Sequence, residues 1–360
     1  MPPVLTGPPS RWYFVHPWAD ALCAGGLSLL VFAGTMGSRW WSSADQALPT
    51  ALPSALVLAG FLQWIVNWPH FSATSYRLLR VPENRREFPL TTYVIPVVVG
   101  AAIVASLRSP TGVAPYFIKF FMLWSPYHFT AQSLGISLLY ARRAGYDIST
   151  GERRALAVFL FGTFLVSTAR AETSVSRHSF VGIPYPGLGV PGELVIALTI
   201  LMYVGGFQFL LSAFQRYRRT GERLPLILPT VAVAQYVWFV LGYHAPSFYV
   251  FVPAFHALQY LLIAWVMELK ENRSGRSTGQ ISIVWGVVNV VGGAGLFWAL
   301  PRAVSSFGVP LDLALAVLVA GIQIHHFFVD GVIWKLRNPR VANPLTVSWD
   351  LKAPAAQKAA

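Results

Sequence analysis

Apolar runs of about twenty residues alternate along the chain with short polar stretches that carry the cations. Ten runs stand out, at approximately 17–36, 51–70, 90–107, 113–140, 155–171, 191–213, 224–243, 247–268, 281–300 and 310–334. At 1.5 Å rise per residue, a run of this length crosses roughly 30 Å of hydrocarbon as a helix. A helix satisfies its own backbone hydrogen bonds there. The pattern predicts an all-α polytopic transmembrane helix bundle of about ten spans. The fourth run is long and is expected to tilt or bend near Pro126.

The polar stretches give the direction. Arg77, Arg80, Arg85 and Arg86 follow run 2; Arg142, Arg143, Arg153 and Arg154 follow run 4; Arg216, Arg218, Arg219 and Arg223 follow run 6. Lys270, Arg273 and Arg276 follow run 8, and Lys335, Arg337, Arg340, Lys352 and Lys358 follow run 10. With Arg11 these place 21 cations on one side, against five on the other (Arg39, Arg108, Arg170, Arg177 and Arg302). By the positive-inside rule the rich side is cytoplasmic, which puts both termini in the cytoplasm and the chain in the cell inner membrane. Residues 1–16 are then a cytoplasmic N-terminal segment, 17–338 the transmembrane helical domain and 339–360 a flexible cytoplasmic tail. Run 17–36 has no charged leader or small-residue cleavage site before or after it and is read as a retained span.

Composition agrees. Hydrophobic residues make up 55% of the 360 positions and charged residues 11%, where soluble domains carry roughly 25% charged residues. The mean hydropathy is +0.53. The net charge of +13 would suit nucleic acid if it formed a patch. Its confinement to the ends of apolar runs makes it a topology signal with some attraction for anionic lipid, and no nucleic-acid partner is expected. A single cysteine, Cys23, excludes an intrachain disulfide and a cysteine metal site. The longest outer connection, about 172–190, holds Arg177 and His178 and reads as a plain loop. Trp12, Trp40, Trp41, Trp334 and Tyr140 fit an aromatic belt.

Histidine carries the candidate chemistry. Five of the eight histidines fall inside runs: His70 in run 2, His128 in run 4, His256 in run 8, His325 and His326 in run 10. All four runs are even-numbered, so they cross in the same direction. Measured back from the cation that ends each run, the five lie in one layer, roughly 10–21 Å above the basic boundary. His16, His178 and His244 sit near span ends or in the outer loop. Polar groups follow or precede the five by one helical turn: Asn67 and Thr74 around His70, Gln132 after His128, Gln259 and Tyr260 after His256, Asp330 after His326. An isolated membrane histidine is commonly a hydrogen-bonded packing residue. Five at one depth on co-oriented helices, with a carboxylate, point instead to a functional polar site. Asp330 costs about 2.5–3.5 kcal/mol in hydrocarbon on insertion scales unless it is partnered; it either belongs to the site or pairs with Lys335 or Arg337 at the interface.

Residues 68–75 (W-P-H-F-S-A-T-S) and 126–133 (P-Y-H-F-T-A-Q-S) share H-F-[S/T]-A-x-S, short enough for duplication or coincidence. The run from His325 to Arg337, H-H-F-F-x-D-G-x-I-W-K-L-R, resembles the carboxy-terminal segment of bacterial multi-pass membrane proteins of uncharacterised function. That resemblance rests on 13 of the 360 residues and implies no activity.

Phosphate-binding loops, the HExxH zinc motif, the GxSxG nucleophile elbow, desaturase HxxxH and HxxHH boxes and a DDxxD cluster are all absent. Two classes of function remain. The first is a metal-dependent enzyme, possible with iron, zinc or copper, acting on a lipophilic substrate from the bilayer. Its metal ligands would come from His70, His128, His256, His325 and His326. Asp330 would be catalytic, and Asn67, Gln132, Gln259 and Tyr260 would support the ligands. Histidines on several membrane helices around iron resemble the architecture of bacterial carotene-cleaving membrane dioxygenases, without any of that family's motifs. The second class is a heme-binding redox protein or proton-coupled transporter using the same histidines. A structural membrane subunit also fits. Membrane lipids and a lipophilic small molecule are the expected partners.

Overall fold

The computed structural model describes residues 12–41, 47–176, 178–272, 276–336 and 338–346. Ten helical rods follow one another through it. These are α1 (Pro17–Met36), α2 (Ala47–Leu62, continuing through Gln63–Asn67 into Trp68–Arg80), α3 (Leu90–Arg108), α4 (Ala114–Arg143) and α5 (Thr150–Ala171). Then come α6 (Gly192–Thr220), α7 (Ile227–His244), α8 (Pro246–Glu271), α9 (Thr278–Ser305) and α10 (Leu311–Ile333). Eight of them are long and apolar enough to cross a membrane. The other two, α2 and α4, carry His70, Thr74, His128, Thr130, Gln132 and Ser133, and these polar residues lower their hydropathy. The protein is a membrane-spanning helical bundle.

Wide π-turns interrupt several rods, and prolines explain three of them. The turns Gln63–Asn67, Leu90–Val94 and Gly295–Ala299 are each followed two residues later by a proline: Pro69, Pro96 and Pro301. A proline ring clashes with the carbonyl four residues back and supplies no N–H. Widening the preceding turn relieves the clash and keeps the rod continuous. Trp68 N–H accordingly donates five residues back, to Gln63 O. In α1, Gly25 adopts φ 151° and lies where a Cβ would come within 2.6 Å of Ala234 Cβ, so α1 breaks where it meets α7. Gly292 and Gly293 of α9 likewise sit against Ser72 and the Trp68–Pro69 backbone of α2, which lets the two helices pack closely.

The helices α2, α8, α4 and α10 form a ring: α2 touches α8 and α10, and α4 touches the same two. Their basic ends lie together. Arg77 of α2 makes a two-point ion pair with Glu271 of α8 at 2.9 and 3.1 Å. Between α5 and α6, Arg216 pairs with Glu152 at 2.7 Å.

Three expectations change. Residues 339–346, expected in a flexible tail, form a further helix, α11 (Pro339–Thr346), with Val341, Ala342 and Leu345 buried. Arg143 donates to Leu345 O, and Lys270 to Pro344 O. These cations satisfy carbonyls at the end of α11, where the helix has no N–H to offer them. Residues 347–360 lie outside the described set. The 172–190 connection contains a hairpin, β1 (His178–Phe180) paired antiparallel with β2 (Ile183–Tyr185). Glu172 holds this connection, accepting from Leu188 N–H at 3.0 Å and pairing with Lys119. Tyr140 is buried rather than interfacial, donating at 2.8 Å to Asp20, which also accepts from the Phe14 and Val15 N–H groups.

Candidate metal centre

The α2–α8–α4–α10 ring brings four of the five histidines to one point. His70, His128, His256 and His326 each offer a ring nitrogen, and these atoms all lie within 4.8 Å of one another. Geometry then places a single point within about 2.9 Å of all four, where a metal–imidazole bond is about 2.0–2.1 Å. A contraction of less than 1 Å per ligand would close the site. His128 Nε2 and His326 Nε2 already stand 3.1 Å apart, close to the edge of a tetrahedron of about 2.1 Å bonds. All four side chains are buried, with His70 fully enclosed.

His325 does not join them. One residue from His326, it is turned about 100° around α10 and faces the Thr91 backbone of α3 instead. Of the adjacent pair, His326 alone points into the ring.

Aromatic rings hold the imidazoles. Three of the four ring histidines are followed directly by phenylalanine, and each phenylalanine packs on the histidine of another helix. Phe71 of α2 meets His326 of α10 edge-on, with centroids 4.7 Å apart. Phe129 of α4 stacks on His256 of α8 at 3.8 Å and 9°. Phe327 of α10 stacks on His128 of α4 at 4.5 Å and 26°. The fourth ring, His70, is covered by Tyr260 of α8 at 4.5 Å. These contacts restrict each ring and exclude water, the conditions a preorganised site needs. The H-F pair at 70–71, 128–129 and 326–327 was the sequence signal for this cage, which the reading of polar neighbours alone passes over.

Five of the eight ring nitrogens have no hydrogen-bond partner: both of His70, both of His256, and Nδ1 of His326. Leaving a buried donor or acceptor unmatched costs about 1–3 kcal/mol. The four imidazoles each bring one ring nitrogen to the same place, and neutral imidazoles are metal ligands.

Asp330 turns toward the quartet. Its Oδ2 is 3.4 Å from His326 Nε2 and 3.7 Å from His128 Nε2, and its side chain is 8% exposed. Among the described residues it forms no ion pair with Lys335; Arg337 is outside them. Thr74 Oγ1 lies 3.2 Å from Asp330 Oδ1 and 2.6 Å from the Tyr260 hydroxyl. Thr74 has one proton, so when it donates to the carboxylate, Tyr260 donates to Thr74. A hydroxyl relay thus runs from Tyr260 to Asp330.

The residues expected to support the ligands do so differently. Gln132 donates to the His256 carbonyl at 2.9 Å and to Gln259 Oε1 at 3.2 Å, while Gln259 donates to Ala24 O at 2.8 Å. They tie α4, α8 and the α1 break together at the backbone and do not bond to the rings. Asn67 donates to Gln63 Oε1 at 2.6 Å, within the α2 π-turn.

A cavity of about 550 Å³ reaches the site from the side. His128, Asp330, Gln132 and Tyr260 form its inner end, and the remainder is largely apolar, with Trp124, Ile136, Leu139, Ile263 and Phe328 in the wall.

No protein-family model, curated protein or solved structure matches the chain. The site therefore stands on its own geometry: a membrane-spanning helical protein with a buried histidine quartet that can hold a metal.

Proposed function

We propose that the quartet binds one transition-metal ion, of the iron, zinc or copper class, and that the protein is a metal-dependent membrane enzyme of the non-heme iron type acting on a lipophilic substrate. The observation that carries this reading is the convergence of four buried imidazoles, each offering one ring nitrogen within 4.8 Å of the others. Four imidazoles leave positions open on a five- or six-coordinate metal. Bound there, iron would supply Lewis-acid and redox chemistry to a molecule in the cavity. His128 and Asp330 are the site groups that face that molecule. Asp330 is placed either to take a proton from it or to add a carboxylate ligand, and the Tyr260–Thr74 relay can return the proton.

Heme fits less well. The quartet centroids stand 4.4–5.1 Å apart along the ring, at steep interplanar angles. A macrocycle inserted between two of these imidazoles would displace the other two and their aromatic covers. A proton-coupled transporter needs a polar path, and the cavity wall is mostly apolar.

The test is elemental analysis and an absorption spectrum on detergent-purified full-length protein. The expected result is about one metal per chain and no Soret band. A Soret band, or no metal after growth with iron, zinc and copper supplied, overturns the proposal. The orientation, with both termini cytoplasmic in a bacterial inner membrane, is part of the same reading. Reporter fusions after Arg86, Arg154, Arg219 and Arg276 should all report cytoplasm, and one clear reversal would break it.

A further inference from the structure

The cavity has a shape and a charge that the metal centre does not explain. On α4 its wall runs from Trp124 to Leu139, about 22 Å at helical rise. A cavity of about 550 Å³ drawn out over that length has the elongated shape of an extended hydrocarbon chain.

The cavity opens to the side. Tyr127, Gly331 and Lys335 line it and are also exposed, and they follow the seam between α4 and α10. A Cβ added at Gly135 or at Gly331 would meet nothing within 4 Å, so both positions border open space at this seam.

Among the described residues the lining carries one lysine or arginine, Lys335, at the basic end just beyond α10, and one carboxylate, Asp330, at the inner end. A substrate with a single negative charge would place it at Lys335, away from Asp330, and leave its chain along the apolar wall.

We infer that the cavity binds a single-chain amphiphile with a carboxylate head, a long-chain fatty acid by chemical class, which enters from the bilayer between α4 and α10. Its carboxylate sits at Lys335 and a mid-chain carbon lies beside His128 and Asp330. As a statement about substrate this rests on the metal-enzyme reading; as a statement about binding it does not.

The probe is palmitic acid carrying a mid-chain diazirine, photolysed on full-length protein in detergent, with its methyl ester as the neutral control. Label is expected on the 124–139 and 327–336 segments, competed by unlabelled oleate. The acid should label about fivefold more than the ester, the scale of one ion pair at the water boundary, and Lys335→Gln should erase that preference. Gly331→Leu and Gly135→Leu fill open space on helices and should fold. Each is expected to cut labelling about tenfold while leaving metal content unchanged. Equal labelling by acid and ester, or label spread over the lipid-facing helices α6 and α9, overturns the inference. Metal content is measured on the same samples. Metal present with no cavity label sinks this inference alone. Cavity label with acid preference but no metal sustains it, and the metal-enzyme reading fails instead.

Discussion

Two buried polar clusters lie on different faces of α4, and they are built in opposite ways. On one face Gln235 of α7 ties three hydroxyls together. Ser133 donates to its Oε1 at 2.8 Å, and its Nε2 donates to Thr130 at 2.7 Å and to Thr163 at 3.4 Å. Thr130 and Thr163 donate in turn to carbonyls of their own helices, Pro126 O and Leu160 O. Every side-chain polar atom in this cluster has a partner. On the other face, His128 belongs to a quartet in which five nitrogens have none. Both clusters are buried inside the bundle and share α4. A satisfied network holds helices together and asks for nothing more. An unsatisfied one, caged by aromatic rings and open to a cavity, can take a ligand from outside the chain.

That contrast breaks most directly at the quartet. His256→Ala or His326→Ala should bring bound metal to background, a larger loss than the roughly 10–100-fold that removal of an outer-shell partner costs. Elemental analysis of protein that still elutes as a folded species makes the check. Full metal occupancy in either variant would place the quartet beside the Gln235 cluster as a packing device. Asp330→Asn comes next. It keeps the shape and removes the charge that faces His326 and His128. Metal affinity should fall about 10–100-fold, read by competition with a chelator, and activity should fall with it. Unchanged affinity and activity would take Asp330 out of the site. Gln235→Leu tests the other half of the comparison. It should leave metal content intact and destabilise the bundle by about 0.6–1.7 kcal/mol, the range for hydrogen bonds between membrane helices. A lowered thermal midpoint in detergent with normal metal is the expected pattern, and loss of metal would mean that the two clusters are coupled.

Much of this was legible in the chain because the membrane constrains it. Ten runs, alternating cations and a layer of histidines at one depth follow from hydropathy and helical rise; among the described residues the fold contains ten rods, eight of them long and apolar enough to cross a membrane, and four converging histidines. Other features were not legible, for identifiable reasons. Depth says nothing about rotation around a helix axis, so His325 and His326 looked equivalent although about 100° separates them. The neighbour rule of one helical turn located Gln132 and Gln259 but not what they bond to, because backbone acceptors such as Ala24 O leave no mark in sequence. The site was expected to be polar, since polar residues were what drew attention to it, but the cavity that reaches it is largely apolar. Its wall comes from residues such as Ile136, Ile263 and Phe328, which look like any membrane-helix surface until the helices diverge. The α11 helix escaped notice because an Ala/Pro-rich, polar stretch resembles a loose tail unless the side chains that cap it, Arg143 and Lys270, are known to be near.

The smallest expected effect is the most discriminating, because it concerns neighbours in sequence. His325 and His326 share a helix, a residue type and a depth, and differ only in direction. His326 Nε2 lies 3.1 Å from His128 Nε2, whereas His325 is half-buried toward α3. His325→Ala should therefore leave metal stoichiometry unchanged and cost little stability. The residue is half-buried, and its replacement should fall toward the lower end of the roughly 0.5–3 kcal/mol typical of single substitutions. His326→Ala should lose the metal altogether. If instead both variants retained metal, or both lost it, orientation around α10 would not be what selects the ligand. Metal analysis of the two variants purified side by side decides between these outcomes, with the intact protein setting the scale.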